Sequence, residues 1–261
     1  MPFASVNGQR ICFEDSGGEG MPVVLGHGFL MDREMFAPQV EALSPEFRVI
    51  TWDERGFGQT EFDGQPFTYW DSAKDCLGLL DHLELERAVL GGMSQGGFLS
   101  LRAALLAPDR VRALVLIDTQ SGPEDPATLP AYRQMAETWL AVGPVDELAD
   151  AIATLIIGDP VVSKQWIAKW RQLPRENMGP VSDCLFERED ITDRLREITC
   201  PAIVFHGTAD QSIEIEKGEQ LCAALSGCTR MVRVQGGSHA SNLTHPDQVN
   251  GPLIEFLRSL S

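Results

Sequence analysis

The stretch "VLGGMSQGGF", residues 89–98, decides how the rest of the chain is read. Its first part completes "RAVLGG", an apolar run of strand length, and from Gln95 onward the pattern is helical. Between the two lies Gly92-Met93-Ser94-Gln95-Gly96, a G-x-S-x-G sequence flanked by Gly91 and Gly97. A serine at such a strand-to-helix junction sits on a sharp, strained turn that lifts its hydroxyl out of the fold, a nucleophile elbow. Side chains at the neighbouring positions would strike the backbone that crosses there, and glycine avoids this. The helix that follows points its first amides at any negative charge forming near the hydroxyl. A serine capping a helix between loop glycines is the plainer alternative. The strand and the helix on either side favour the elbow.

Working outward, "FASV" and "RICFED" flank Asn7-Gly8, the residue pair of a tight hairpin turn. "PVVLGH", "FRVITWD", "VRALVLID" and "PAIVFHG" read as buried strands, and "TRMVRV" as a less apolar last one. Helical patterns cover 34–43, 70–83, 96–107, 214–225 and 246–257. This alternation predicts an α/β fold: a mostly parallel sheet with helices on both faces and the opening hairpin antiparallel at one edge. The alternation breaks after Asp118. "TQSGPEDPATLP" is loop by composition, and from 130 to about 196 there is helical periodicity without a strand. The expected organisation is a core domain of residues 1–120 and 197–261, with 121–196 inserted as a helical cap.

The chain has 261 residues, 43% hydrophobic and 23% charged, enough for one sizeable α/β core. Its net charge of −17 argues against nucleic acid or an anionic membrane as partner, because both reward clustered Lys and Arg. The start "MPFASVNGQR" has no basic segment leading into an apolar one, and no apolar run approaches membrane-span length. The six cysteines, Cys12, Cys76, Cys184, Cys200, Cys222 and Cys228, form no C-x-x-C pair and share no metal-ligand spacing with histidine. Reduced, mostly buried thiols in a cytoplasmic protein are therefore expected, and no metal.

A serine hydroxyl needs a base within hydrogen-bond reach and a group that orients the base. Five histidines are available. His27 follows a strand in "LGHGF", His82 falls in a helix pattern, and His206 ends the strand "IVFHG". His239, in "VQGGSHASNLTHP" after the last strand, has the late loop position expected of the base. His245, just before Pro246, reads as a surface residue. The acid is expected between serine and histidine in chain order. Asp210 in "FHGTADQSI" follows a buried strand, with an Asx-turn as its plain alternative, and Asp118 at the end of "VRALVLID" is its rival. The order Ser94, Asp210, His239, with both partners on late, neighbouring strands, favours Asp210. Two donors must face the oxyanion. The backbone N–H of Gln95 is one candidate and that of Phe29, in the loop His27-Gly28-Phe29, the other. His27 itself is read as holding that loop.

Together, "LGHGF", "WDERGFG", "GGMSQGG", "FHGTAD" and "GGSHASNLTHP" resemble the α/β-hydrolase fold family in order and spacing, over the chain apart from the inserted stretch. The resemblance implies a Ser-His-Asp hydrolase without metal or organic cofactor. Ser94 would be its nucleophile, Asp210 its acid, His239 its base, and Phe29 and Gln95 its oxyanion donors. It also implies a structural turn at "DERGFGQT", with Arg55 structural. Relatives that open epoxides or remove halide carry aspartate where this chain has Ser94. The remaining members are carboxylesterases, enol-lactonases, carbon–carbon bond hydrolases and cofactor-free haloperoxidase-like esterases. Gln95 departs from the Met or His of many relatives, but only its backbone is required.

The expected reaction is cleavage of a carboxylic ester of a small, largely apolar substrate through an acyl-enzyme on Ser94. The alternative is a lactonase like 3-oxoadipate enol-lactonase, or a carbon–carbon bond hydrolase of aromatic degradation; a non-catalytic small-molecule receptor is a third reading. Met135, Trp139, Trp166 and Trp170 are candidates for the pocket wall, although at helical spacing such residues also make the core of a cap. Arg133 and Arg171 could bind a substrate carboxylate, as an enol-lactonase requires, with solvated charges the plainer reading. A homo-oligomer is left open.

Overall fold

Asn7 and Gly8 both take positive φ, 47° and 77°, and join strand β1 (Phe3–Val6) to β2 (Gln9–Asp15) in a computed structural model that describes residues 2–260. Two positive φ values in succession match the twist of a hairpin, and Asn-Gly tolerates them at least cost. β2 lies antiparallel to β4 (Arg48–Trp52). From there the pairing is parallel through β3 (Pro22–Gly26), β5 (Ala88–Met93), β6 (Val111–Ile117), β7 (Ala202–Gly207) and β8 (Cys228–Val234). The eight strands run in the order β1-β2-β4-β3-β5-β6-β7-β8.

Successive residues of the inner strands face opposite layers. Val23, Leu25, Val89 and Phe205 pack into one apolar cluster, and Val24, Leu90, Leu114 and Val204 into the other. Helices α1 (Ala37–Leu43) and α10 (Pro246–Arg258), the latter following the single turn α9 (Ser241–Thr244), cover the first layer. Helices α2 (Tyr69–His82), α3 (Gln95–Leu106) and α8 (Ile215–Ala224) cover the second. Cover on both faces is why these strands read as unbroken apolar runs. The helix expected over 34–43 divides into a 3₁₀ turn, Arg33–Phe36, and α1. Pro38 has no N–H to give, so it is accommodated only in the first turn of a fresh α-helix.

Between β6 and β7 come α4 (Leu129–Val142), α5 (Asp146–Ile156), α6 (Pro160–Trp170) and α7 (Met178–Phe186), with no strand among the described residues there. Trp139, Ile152, Trp166 and Trp170 join the apolar layer of α1 and α10. Trp170 Nε1 donates to the Leu30 carbonyl at 2.5 Å, which ties α6 to the loop after β3. At "DERGFGQT" two buried carboxylates hold the turn. Asp53 accepts from Arg33 Nη1 (2.7 Å) and from the Gln59 N–H (2.8 Å). Arg55 Nη2 donates to Asp75 of α2 at 2.8 Å, a structural role for that arginine.

The expectation of six reduced cysteines is corrected. Cys222, in the last turn of α8, is disulfide-bonded to Cys228, the first residue of β8, while Cys12, Cys76, Cys184 and Cys200 are free. The helix-to-strand turn brings the two Cα atoms to 5.4 Å, which a search for C-x-x-C spacing does not register. No helix among the described residues is long and apolar enough to cross a membrane.

Denatured without reductant, the protein should therefore yield four thiols to a colorimetric titration and all six only after reduction. Arg55→Met, which leaves the buried Asp75 carboxylate without its guanidinium, should lower unfolding free energy by about 3 kcal/mol, read from the urea midpoint at unchanged slope.

Candidate active site

The elbow begins where β5 ends. Ser94 takes φ 51° and ψ −111°, a left-handed conformation that costs a serine strain. Its peptide is held on both sides. The Ser94 N–H donates to the Ile117 carbonyl at 2.9 Å, and the Ser94 carbonyl accepts from Thr119 Oγ1 at 2.8 Å. A Cβ on Gly92 would stand 2.2 Å from the Gly26 carbonyl oxygen, and one on Gly96 only 2.0 Å from it. Those two positions therefore admit no side chain, as the sequence pattern requires. α3 starts at the next residue, Gln95.

Asp210 lies on the loop after β7, and its side chain is fully buried. One of its oxygens accepts from the backbone N–H groups of Ser212 (2.8 Å) and Ile213 (3.0 Å). The other is 2.8 Å from His239 Nδ1. That contact puts the proton on Nδ1 and leaves Nε2 of His239 as the acceptor nitrogen. Ser94 and His239 line one cavity; among the described residues no hydrogen bond joins the Ser94 hydroxyl to the imidazole. Asp118, the rival, is engaged elsewhere. It accepts from Gly207 N–H (2.7 Å), Ser241 N–H (3.0 Å) and Ser241 Oγ (2.6 Å), so it anchors the loops that carry Asp210 and His239.

Burial alone would push Asp210 up, but the charges and hydrogen bonds of His239 and His206 outweigh it and hold the carboxyl below the usual range. Burial likewise works against a charged His239, and the Asp210 carboxylate outweighs it, so His239 is raised. At Asp118 the balance goes the other way: burial first, and then the negative charge of Asp210, outweigh the two histidines and the Ser241 hydrogen bond and push it up to about 6. The Asp210–His239 pairing thus stabilises the fold fully only between the unfolded values of about 3.9 and 6.5. That contribution fades as pH falls through the depressed Asp210 value and as pH rises through the raised His239 value.

The loop after β3 runs beside the elbow, and Gly96 N–H donates to the His27 carbonyl at 3.1 Å. His27 is buried and braces this loop. Its Nδ1 donates to the Gly28 carbonyl (2.8 Å), and its Nε2 accepts from Glu54 N–H (2.9 Å). Burial lowers its proton affinity, in keeping with a neutral ring that accepts at Nε2. Phe29 lines the cavity with Ser94, and among the described residues the N–H groups of Phe29 and Gln95 have no acceptor in the chain. Met135 and Trp139 of α4 also line it. Trp166 and Trp170 do not; they are packed among the helices. Arg133 faces Glu187 at 3.8 Å and Arg171 pairs with Asp146 at 2.5 Å, both outside the cavity. His245 sits at the start of α10, where its Nδ1 meets Thr244 Oγ1 at 2.9 Å.

Two wall residues escaped the sequence reading. Glu124 stands in "TQSGPEDPATLP", where one acid among several carries no signal. Tyr132 counted only toward helical periodicity. Both line the cavity. Asp118, His206 and Asp210 place three potential ligand atoms within 4.8 Å of one another, the spacing of a metal site. Their ligand atoms are already committed, except His206 Nδ1, which has no hydrogen-bond partner among the described residues. His206 Nε2 donates to the Ile213 carbonyl at 2.8 Å, and both carboxylates are taken up by the hydrogen bonds above. The trio is a hydrogen-bonded brace rather than a vacant ligand set.

A sequence model of the family described as alpha/beta hydrolase fold matches residues 21–246. 3-Oxoadipate enol-lactonase 1 of Acinetobacter baylyi is 26% identical over 97% of this chain and 95% of its own length. The solved structure of a thermophilic esterase from Thermogutta terrifontis superposes with a TM-score of 0.90 at 29% identity, covering 99% of this chain and 98% of that one. An enol-lactonase structure from Burkholderia xenovorans gives a TM-score of 0.89 at 28% identity, covering 98% and 100%.

The electrostatics can be tested without any substrate. By NMR, the His239 ring should titrate above the ordinary histidine value of about 6.5. In Asp210→Asn, with burial unopposed by that carboxylate, it should move down. Identical titrations in the two proteins would rule out control of the imidazole by this contact.

Proposed function

We propose, for a chain that belongs to the α/β-hydrolase fold family, that it is a serine hydrolase cleaving a carboxylic ester of a small, largely apolar substrate. One observation carries this reading: Ser94, on a strained junction, shares an apolar cavity with an imidazole whose far nitrogen is held by a buried carboxylate. In the proposed cycle Ser94 Oγ attacks the ester carbonyl carbon while its proton passes to His239 Nε2. The carbonyl oxygen becomes an oxyanion held by the N–H groups of Phe29 and Gln95, at the start of α3. Collapse expels the alcohol oxygen, which takes the proton from His239 and leaves an acyl ester on Ser94. Water repeats the sequence, and the carboxylic acid departs. Asp210 fixes the tautomer and stabilises the imidazolium at each stage. Helices α4–α7 act as a cap that walls the acyl site with apolar side chains.

Lactone opening by the same steps is the second reading, favoured by the enol-lactonases among the similar proteins. A carbonyl inside a ring needs no change in machinery, only in cavity shape.

The test is hydrolysis of p-nitrophenyl acetate and of a simple enol-lactone by wild type, Ser94→Ala and Asp210→Asn. Removing the nucleophile should reduce kcat/KM by roughly a thousandfold or more, and the neutralised acid should cost on the order of 10⁴ in kcat with little change in KM. Undiminished turnover in Ser94→Ala would sink the assignment. Tight binding without turnover in the wild type would favour a receptor.

A further inference from the structure

Apart from Ser94 and His239, the cavity presents three polar side chains, Glu124, Tyr132 and Ser212, in a wall of hydrocarbon, thioether and aromatic rings. Ser212 Oγ is spent on the Leu155 carbonyl at 3.3 Å. Glu124 is different. One oxygen accepts from Arg188 Nη1 at 2.7 Å, and Arg188 is itself fixed. It donates to the carbonyls of Gly122 (2.9 Å) and Leu185 (2.8 Å), and lies 4.4 Å from the centre of the Phe98 ring. The side chains of Arg188 and Glu124 are 1% and 9% exposed, so the carboxylate is held in place from behind rather than free to swing. Its other oxygen makes no hydrogen bond among the described residues. A fixed carboxylate with unused lone pairs on one oxygen, at the border between this apolar cavity and a polar one that Lys217 also lines, is an acceptor open to a donor. The Tyr132 hydroxyl is likewise unbonded among the described residues. Burial, and then the charge of Glu124, raise it to about 12, so it stays protonated and able to donate or accept.

No lysine or arginine lines the cavity among the described residues, and the two cap arginines that could have served a carboxylate are paired outside it. A substrate carboxylate would meet the Glu124 carboxylate first, because the cation paired with it, Arg188, lies behind it and outside the lining.

We propose that Glu124, with Tyr132 nearby, recognises a hydrogen-bond donor on the substrate, an ammonium, hydroxyl or amide N–H group away from the scissile carbonyl. The same carboxylate turns away substrates that carry a carboxylate there. This selectivity rests on the serine hydrolase reading and concerns the same cavity. It disfavours anionic enol-lactones within that reading. Glu124 acts on binding only and takes no part in bond making or breaking.

The experiment compares kcat/KM for three p-nitrophenyl esters of one chain length, ending in methyl, ammonium or carboxylate, in wild type and Glu124→Gln. The amide oxygen of glutamine keeps the acceptor for Arg188 and replaces the free oxygen by a donor. Wild type should prefer the ammonium ester over the carboxylate ester by about tenfold or more, the usual size of one charge-assisted hydrogen bond. In Glu124→Gln that ratio should shrink about tenfold or reverse. An unchanged ratio, or a loss shared equally by all three esters, would overturn the proposal and leave Glu124 a structural partner of Arg188. Failure of the underlying reading shows separately, as equal turnover of the methyl ester by wild type and Ser94→Ala. In that event binding decides: a primary alkylamine, alkanol and alkanoate of one length are titrated by tryptophan fluorescence. Tighter amine and alkanol than alkanoate, lost in Glu124→Gln, supports the proposal, and any other order overturns it.

Discussion

The carbonyl oxygen of Gly26 occupies the space where a side chain on Gly92 or Gly96 would begin. β3 and β5 are neighbours in the sheet, with Gly26 opposite Gly92, so the end of one strand is pressed into the bend of the other. Much of the site follows from this one close approach. It forces glycine at both positions and leaves Ser94 between them in a conformation that turns its hydroxyl away from the sheet. It also lays the loop after β3 against the first turn of α3, which is why the N–H groups of Phe29 and Gln95, far apart in the chain, come from adjoining backbone. Neither amide needs a side chain of special chemistry.

A second layer of order comes from dividing work between two aspartates. Asp118, itself at φ 47°, closes β6 and gathers the loops after β7 and β8 by accepting from Gly207 and Ser241. Asp210 meets the imidazole. The two carboxylates repel one another, and their surroundings push them apart in acidity: imidazoles and backbone N–H groups hold Asp210 down, while burial and Asp210 itself lift Asp118. His206 is packed below, with Nδ1 so near α8 that any side chain on Gly218 would collide with it at 2.5 Å. Position and charge of the acid are thus set by the same contacts.

Much of this was legible in the residues. G-x-S-x-G between a strand and a helix, Asn-Gly between two strand patterns, and the chain order of Ser94, Asp210 and His239 are local or ordinal signals, and they carry the α/β fold and the members of the site with them. The long helical stretch after Asp118 was legible for the same reason, since periodicity is local. What depended on three-dimensional proximity was not. Of the four aromatic and sulphur-bearing candidates on α4 and α6, Met135 and Trp139 face the cavity and Trp166 and Trp170 do not, because helical spacing marks an apolar face without saying what covers it. Glu124 was invisible because its meaning comes from Arg188, 64 residues away. The disulfide was missed because Cys222 and Cys228 become neighbours only once a helix turns back into a strand.

β8 is the last strand of the sheet, and its outer side has no partner strand among the described residues. An open edge of this kind is a template on which a foreign strand can grow. Here most of the strand is wet, and long charged side chains stand along it: Arg230 reaches to Glu255 of α10 and Arg233 to Glu219 of α8. Its first residue is stapled covalently to a helix. An intruding chain would have to strip water and counter-charges from this border before its first rung could form. Because the turn bearing His239 grows directly out of β8, resistance to polymerisation and correct placement of the imidazole are served by one and the same border.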